Sequence, residues 1–174
     1  RKASILFFHQ IGLFDYLMHM DLNGFARRTN NTSDDLSSRE YFKRAVATKK
    51  PVVSEPLLVR GTGKLSVNIA VPILDNGVLK GVVVGNLPLD TINKMVSQIK
   101  FLQTGFGALV DDGGIVLSHP KKPEINGKLS FSEKTINPEL KLEVKELDDR
   151  LMNLFKQTAG TGRQATGYYR FLGG

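Results

Sequence analysis

Arg39 is the side chain in this sequence whose type and setting best suit the binding of an anion. It lies in the first turn of a helix predicted over residues 39–46, with Ser37 as the expected N-cap and Glu40 as its capping-box partner. A guanidinium can hold a carboxylate through two parallel hydrogen bonds. Unpaired N–H groups at a helix N-terminus also favour negative charge. The alternative is a surface arginine on a basic helix.

Four neighbouring or nearby side chains are candidates to share a pocket with this arginine. Tyr41 and Phe42 follow on the helix, and adjacent helix residues point about 100° apart. One is expected to face the pocket and the other the core, although a core position for both is an equal alternative. Ser54 and Asn68 are polar positions within otherwise apolar strands. They line the pocket or lie on an exposed face of the sheet.

The inventory of side chains disfavours catalysis and metal binding. The sequence has no cysteine, which excludes thiol chemistry and zinc–thiolate sites. Its three histidines are far apart and lack paired Asp or Glu spacing: His9, His19 and His119. Residues 60–64 resemble a phosphate-binding loop, but Leu58 and Leu65 stand where Gly and Ser or Thr are required. We therefore expect no enzyme activity, no bound metal and no cofactor.

The net charge of +7 raises the question of nucleic-acid binding. Lysine and arginine are scattered, however, with pairs such as Arg27-Arg28 and Lys49-Lys50 in loops or at helix ends. No basic stripe interleaved with aromatic residues occurs, so we expect no nucleic-acid partner. A positive surface, or proximity to anionic lipid headgroups, accounts for the charge. No apolar run reaches the roughly 18–20 residues that a membrane span needs.

The hydrophobic pattern places the candidate residues on alternating strands and helices. Strands are predicted at 14–22, 25–29, 52–59, 65–73, 78–86, 108–110 and 115–117 and from 168; helices are predicted at 39–46, 90–99 and around 147–155. Turns are expected at Asn23-Gly24 and at Asp75-Asn76-Gly77, and a loop at 120–138.

A weak internal repeat indicates two copies of one topology. A strand, a turn and a strand occur at 17–26 and again at 108–118, each followed by a loop, a helix and further strand. We predict an α+β fold of two lobes, each an antiparallel sheet flanked by helices, over residues 1–100 and 101–174. Both ends fall within patterned segments, so we expect a fragment of a longer protein with an incomplete second lobe.

Several strings of the sequence resemble double Cache sensor domains, which are built from two tandem PAS-like lobes. The helix string at 35–45, DLSSREYFKRA, resembles the family's D-x-S-x-R-x-Y-F-x-x-A pattern. The string at 105–120, from Gly-Phe-Gly to His-Pro, resembles its approach to the second lobe. The match is good over residues 14–120. The resemblance implies an extracytoplasmic domain of a dimeric, membrane-anchored receptor whose membrane-distal lobe, here 1–100, binds the ligand, while 101–174 is membrane-proximal.

The amino-acid-binding branch of this family implies particular site residues. Its Y-x-x-x-x-R-x-W-Y pattern falls on Asp34, Arg39, Tyr41 and Phe42, and a late Asp of that branch falls on Asn86. The arginine is kept, whereas the carboxylate that would hold an ammonium group is a neutral amide here. A short organic acid therefore fits these positions better than an amino acid does, although Asp34 can restore some negative charge.

The sequence thus predicts a non-catalytic, extracytoplasmic domain that senses a small molecule, with a carboxylate favoured. A methyl-accepting chemotaxis protein is the expected parent. The alternatives are the sensor region of a histidine kinase or diguanylate cyclase, and a ligand-free module that binds a partner protein. A closed polar pocket in the first lobe favours a sensor, and a filled apolar lobe with an exposed patch favours the module.

Overall fold

The computed structural model describes residues 12–59, 63–131 and 148–170. The chain divides into two compact units, Arg1–Thr91 and Ile92–Gly174. The α+β class predicted from the sequence is confirmed, since runs of antiparallel strands are separated by single helices. The division falls within the helix predicted at 90–99, whereas the sequence placed that helix wholly with the first lobe.

The first unit is built on one antiparallel sheet of seven strands. In chain order these are β1 (Tyr16–Met20), β2 (Phe25–Arg28), β3 (Ser33–Asp35), β4 (Val52–Val53), β5 (Leu57–Leu58), β6 (Leu65–Asp75) and β7 (Val78–Pro88). The sheet order is β3-β2-β1-β7-β6-β4, and β5 also pairs with β6. The continuous valine run of β7 therefore lies centrally, between β1 and β6, as its β-branched composition predicted.

Two tight turns set the registers of the long strands. Asp75 pairs with Val78 across a two-residue turn in which Asn76 and Gly77 both have positive φ, the backbone that a primed hairpin turn requires. Between β1 and β2, the Asp21 carboxylate accepts hydrogen bonds from the backbone N–H groups of Asn23 and Phe25. Both predicted turns are therefore present.

Helix α1 (Glu40–Thr48) packs on one face of this sheet and buries Tyr41, Phe42 and Ala45. Strand positions two apart supply the apolar partners of the helix, because alternate residues face the same side. The resulting core consists of buried side chains: Met18, Met20, Ala26, Leu36, Tyr41, Phe42, Ala45, Val52, Ala70, Val82 and Val84.

The predicted N-cap of this helix is wrong. The N-cap is Arg39, in extended conformation and without a side-chain cap, whereas Ser37 belongs to the preceding turn. The Asp35 carboxylate accepts the backbone N–H of Ser37 at 2.9 Å. Ser37 also packs closely on Gly24: a Cβ added to Gly24 would lie 2.6 Å from the Ser37 Cβ. The chain therefore enters the helix two residues later than the capping-box pattern predicts.

The second unit carries smaller elements. They are the body of α2 (Leu89–Ser97), the hairpins β8 (Lys100–Phe101) with β9 (Gly105–Phe106) and β10 (Leu109–Val110) with β11 (Val116–Ser118), a 3₁₀ turn (Pro123–Ile125) and α3 (Asp149–Thr158). Its core joins buried residues of β11, the 3₁₀ turn and α3: Val116, Ile125, Leu129, Phe131 and Leu151.

One prediction for this unit is confirmed and another is wrong. The hairpin predicted at 108–117 forms its own sheet, as two separate lobes require. The strand predicted from Tyr168 is wrong for residues 168–170, which make no strand in the described part of the chain. A strand needs a partner to satisfy its backbone groups, and none of the described strands pairs there. Residues 132–138 of the predicted loop lie outside the described residues.

Candidate ligand-binding pocket

A polar row of side chains interrupts the apolar face of the first sheet. Tyr16 on β1 pairs with Asn86 on β7, which in turn pairs with Asn68 on β6. The next row on the same face, Met18, Val84 and Ala70, is buried core. The strand registers therefore bring together polar residues that are distant in sequence, at one end of the core.

Asn86 is the best-defined member of this row. Its side chain is 1% exposed, and its Nδ2 donates to Ser66 Oγ at 2.7 Å and to Asn68 Oδ1 at 2.8 Å. Its Oδ1 is buried and has no hydrogen-bond partner among the described residues. A buried acceptor without a donor costs about 1–3 kcal/mol. A ligand that supplies an N–H or O–H to this oxygen regains that free energy.

A cavity of about 470 Å³ lies over the polar row. This volume lies within the range usual for small-molecule sites. Its walls come from β1, β2, β3, β5, β6, β7 and the start of α1, and are lined by Asp15, Tyr16, Met18, Arg28, Asn30, Thr32, Asp34, Leu36, Arg39, Tyr41, Leu57, Leu58, Val59, Ser66, Asn68 and Asn86.

Two arginines line this cavity. The guanidinium of Arg39, which is half-buried, makes no ion pair or hydrogen bond within the part of the chain that the structure describes, so its donors remain available to a ligand. Arg28 lies over the ring of Tyr16, 5.6 Å from its centroid. Its Nη2 is 3.7 Å from Asp34 Oδ2, and its Nη1 is 3.4 Å from Thr32 Oγ1.

Tyr41 supplies a hydroxyl between these groups. Burial raises the pKa of Tyr41 to about 12, while the positive charges of Arg39 and Arg28 and a hydrogen bond with the Asn68 side chain act in the opposite direction. The phenol therefore keeps its proton at neutral pH and can donate a hydrogen bond.

The structure brings five of the seven residues predicted from the sequence to the cavity: Asp34, Arg39, Tyr41, Asn68 and Asn86. Phe42 lies in the core beneath α1 and does not line the cavity, whereas Tyr41 packs in the same core and also lines the cavity. Ser54 lies outside the lining, since its hydroxyl donates to the Glu55 carbonyl at 2.7 Å and accepts the Asn68 backbone N–H at 2.8 Å. Its role is to join the loop after β4 to β6.

The sequence prediction did not include Arg28, Tyr16 and Ser66. A usable signal existed for Arg28. It lies two positions after the fully buried Ala26 on β2, so strand alternation places it on the inner face. Ser66 precedes Asn68 by two positions on β6 and shares its face for the same reason. Tyr16 is assigned only by its register with Asn86.

Other kinds of site find no support among the residues that the structure describes. No group of three or more His, Cys, Asp or Glu side chains there is arranged to hold a metal ion. No helix in these ranges has both the length and the apolar character for crossing a bilayer.

An α+β unit with a polar cavity at the edge of its core suits the binding of a small molecule. The sequence profile of the Cache domain family matches residues 2–172. The chain belongs to the Cache domain family, as the motif order predicted.

Relatives of known sequence and structure agree with this assignment. The methyl-accepting chemotaxis protein PctB of Pseudomonas aeruginosa is 31% identical over 120 residues, which cover 68% of this chain and 19% of PctB. The ligand-binding domain of the Pseudomonas fluorescens chemoreceptor CtaA, crystallised with L-serine, matches with a TM-score of 0.57 and 25% identity, covering 72% of this chain and 57% of that one.

An extracellular domain of the histidine kinase mmHK1S-Z2 matches with a TM-score of 0.59 and 20% identity, covering 80% of this chain and 63% of that one. At this identity the match shows the fold alone. The chain spans about a fifth of the length of the curated relatives it matches.

Proposed function

We propose that this chain is the extracytoplasmic sensing domain of a transmembrane chemotaxis receptor, and that its first unit binds a small carboxylate. The observation that carries the proposal is one cavity with two unmet groups. These are the guanidinium of Arg39 and the buried oxygen of Asn86, neither of which has a partner among the described residues. A ligand with an anionic end and a nearby hydrogen-bond donor satisfies both.

The ligand carboxylate takes the forked donors of Arg39 and the hydroxyl of Tyr41. A hydroxyl or amino group on the neighbouring carbon donates to Asn86 Oδ1. A neutral amide oxygen accepts from either group and carries no charge to prefer the ammonium. The proposed ligands are therefore short hydroxy acids and amino acids, the second class in keeping with the L-serine bound by CtaA.

The output of the parent protein is the second part of the proposal. Chemotaxis receptors among the relatives favour that output over a histidine kinase, for which the likeness supports the fold alone. The parent is proposed to be a membrane-anchored homodimer with this domain outside the membrane, the unit Ile92–Gly174 being membrane-proximal. Ligand binding shifts the receptor only if its two signalling states bind the ligand unequally.

The alternative of a ligand-free interaction module is disfavoured by the same cavity. A lobe that only contacts a protein partner has no need of a buried amide oxygen without a donor, which lowers its stability. A specific polar lining instead suits the recognition of a small molecule.

A thermal-shift screen of this chain against amino acids, hydroxy acids, simple acids and amines tests the proposal. A ligand at 100 times its Kd stabilises the folded state by about 2.7 kcal/mol, which raises the melting temperature measurably. We expect carboxylates to raise it and amines without a carboxylate to leave it unchanged. Stabilisation by amines alone, or by no compound with a carboxylate, would overturn the proposed ligand class.

A further inference from the structure

Arg28 is a second, largely desolvated cation in the same cavity. Its side chain is 15% exposed, while its neighbour Arg27 is exposed and lies over the ring of Phe25, 5.2 Å from the centroid. Strand alternation explains the contrast, because Arg28 shares the inner face of β2 with Ala26. Arg28 is thus held on the inner face by the fold, largely removed from water, and its charge needs a partner.

The described partners of Arg28 are weak ones. Charge-assisted hydrogen bonds are typically about 2.7–2.9 Å long, whereas Asp34 Oδ2 is 3.7 Å away and half of the Asp34 side chain is exposed to water. The Thr32 hydroxyl, which donates to Asn30 Oδ1 at 2.6 Å, accepts from Nη1 only at a distance of 3.4 Å. A guanidinium has five N–H donors, and these contacts leave most of them unused.

The guanidinium carbon of Arg28 lies over the Tyr16 ring, 5.6 Å from its centroid, within the range of a cation–π contact. Stacking on an aromatic face leaves the N–H edge of an arginine available for a planar anion. Arg28 and Arg39 both line the cavity, and both are close enough to Tyr41 for their charges to act on its hydroxyl. The two arginines therefore line one cavity together with Asn86, whose buried Oδ1 has no donor among the described residues.

We propose that Arg28 binds a second acidic group of the ligand, so that the pocket prefers short dicarboxylates, including acidic amino acids, over monocarboxylates. This inference rests on the proposed function, in which Arg39 binds the first carboxylate. The ligand spans the two arginines, with its hydroxyl or amino group on Asn86. Asp34 then competes with the second carboxylate, because both are anions beside the same guanidinium.

Calorimetry on this chain with matched pairs of compounds tests the inference: L-glutamate and L-glutamine, L-aspartate and L-asparagine, succinate and succinamate. In each pair one carboxylate is replaced by an amide of nearly the same shape. We expect at least one diacid to bind about ten- to a hundredfold more tightly than its amide, the usual worth of a hydrogen bond to a charged group. Arg28→Gln should bring that ratio close to one and leave amide binding in place, and Arg39→Gln should weaken both members.

Arg27→Gln is the matched control, because it removes the adjacent, exposed arginine of the same strand, and it should leave the ratio unchanged. Asp34→Asn should increase the ratio by removing the competing anion, an effect that a merely structural role for Arg28 does not produce. If Arg28→Gln does not fold, Asp34→Asn and Arg28→Lys, which keeps the charge but loses the fork, carry the test.

The possible outcomes distinguish a failure of this inference from a failure of the proposed function on which it rests. Equal binding of every diacid and its amide, or a ratio that survives Arg28→Gln, overturns the role of Arg28 alone. The role of Arg28 is also overturned if none of the six compounds binds, but another monocarboxylate binds and loses affinity in Arg39→Gln. If no carboxylate of any kind binds, the proposed function fails together with this inference.

Discussion

The side-chain amide of Asn86 donates a hydrogen bond of 2.8 Å to Asn68 Oδ1, and its own oxygen is left without a donor in the described part of the chain. The second N–H of the same amide is held by Ser66 at 2.7 Å. With both donors engaged, the amide cannot rotate without losing two buried hydrogen bonds. Asn86 therefore offers a fixed acceptor beside the cavity, and the proposed ligand would provide its donor.

Replacing this amide by a carboxylate should change which donor the pocket prefers. In Asn86→Asp a negative charge attracts an ammonium group more strongly than a neutral hydroxyl. We expect the affinity ratio of L-alanine to L-lactate, measured by calorimetry, to rise by about tenfold. A ratio that does not move would mean that the ligand's donor group lies elsewhere.

Because Tyr41 is buried, we expect the free energy of unfolding to depend on pH in the alkaline range. Its pKa rises from 10 to about 12 on folding, so the folded state keeps the proton that the unfolded chain loses. The contribution of Tyr41 is full below pH 10 and is lost as the pH rises from 10 toward 12, with a slope of at most about 1.4 kcal/mol per pH unit.

Denaturant unfolding of the parent and of Tyr41→Phe at pH 9, 10.5 and 11.5 measures this contribution. The variant lacks the ionisable group, and the other titrating residues cancel in the difference between the two proteins. Its stability should therefore fall less steeply than that of the parent above pH 10. Parallel pH profiles would show that the Tyr41 hydroxyl is not buried as described.

Gly24 supports the segment that carries Arg39 toward the cavity. Its φ of +88° disfavours a side chain, and an added Cβ would lie 2.4 Å from the Ser37 Cα. Gly24→Ala should therefore destabilise the domain by about 2–4 kcal/mol, the sum of backbone strain and overpacking. It should also weaken carboxylate binding, because Ser37 has to move and lies two positions before Arg39.

Gly77→Ala is the matched control for Gly24→Ala. Gly77 has a similar φ of +78°, but an added Cβ there would meet nothing within 4 Å. Only the backbone strain remains, about 1–2 kcal/mol, and ligand binding should be unaffected. The urea unfolding midpoints of the two variants measure the difference in their stability. Equal destabilisation would contradict the close packing of Ser37 on Gly24.

Local patterns in the sequence predicted the elements well but the site only in part. The turn at Asn76-Gly77 and the valines of β7 identify their structures from a few neighbouring residues. The polar row depends instead on long-range register, since Asn86 meets Tyr16 from the other end of the unit. The free oxygen of Asn86 depends on which way the amide turns, and that is fixed by Ser66 and Asn68 only after the sheet has formed.

The burial of Arg28 shows a second limit of sequence patterns. The pair Arg27-Arg28 reads as a charged surface, although the two side chains lie on opposite faces of β2. The alternation was available from Ala26, but an arginine on an inner face runs against composition rules for buried positions. Such a conflict between residue type and position is frequently the mark of a binding site.

The claim that Arg39 anchors the ligand carboxylate is tested most directly by calorimetry on Arg39→Gln, with Arg44→Gln as control. Arg44 is an exposed arginine of the same helix, outside the cavity lining. With a carboxylate taken from the thermal-shift screen, loss of the Arg39 guanidinium should cost about 2–5 kcal/mol, or about 30-fold to several thousand-fold in Kd. Arg44→Gln should stay within about twofold of the parent. Binding to Arg39→Gln as tight as to the parent would contradict the account.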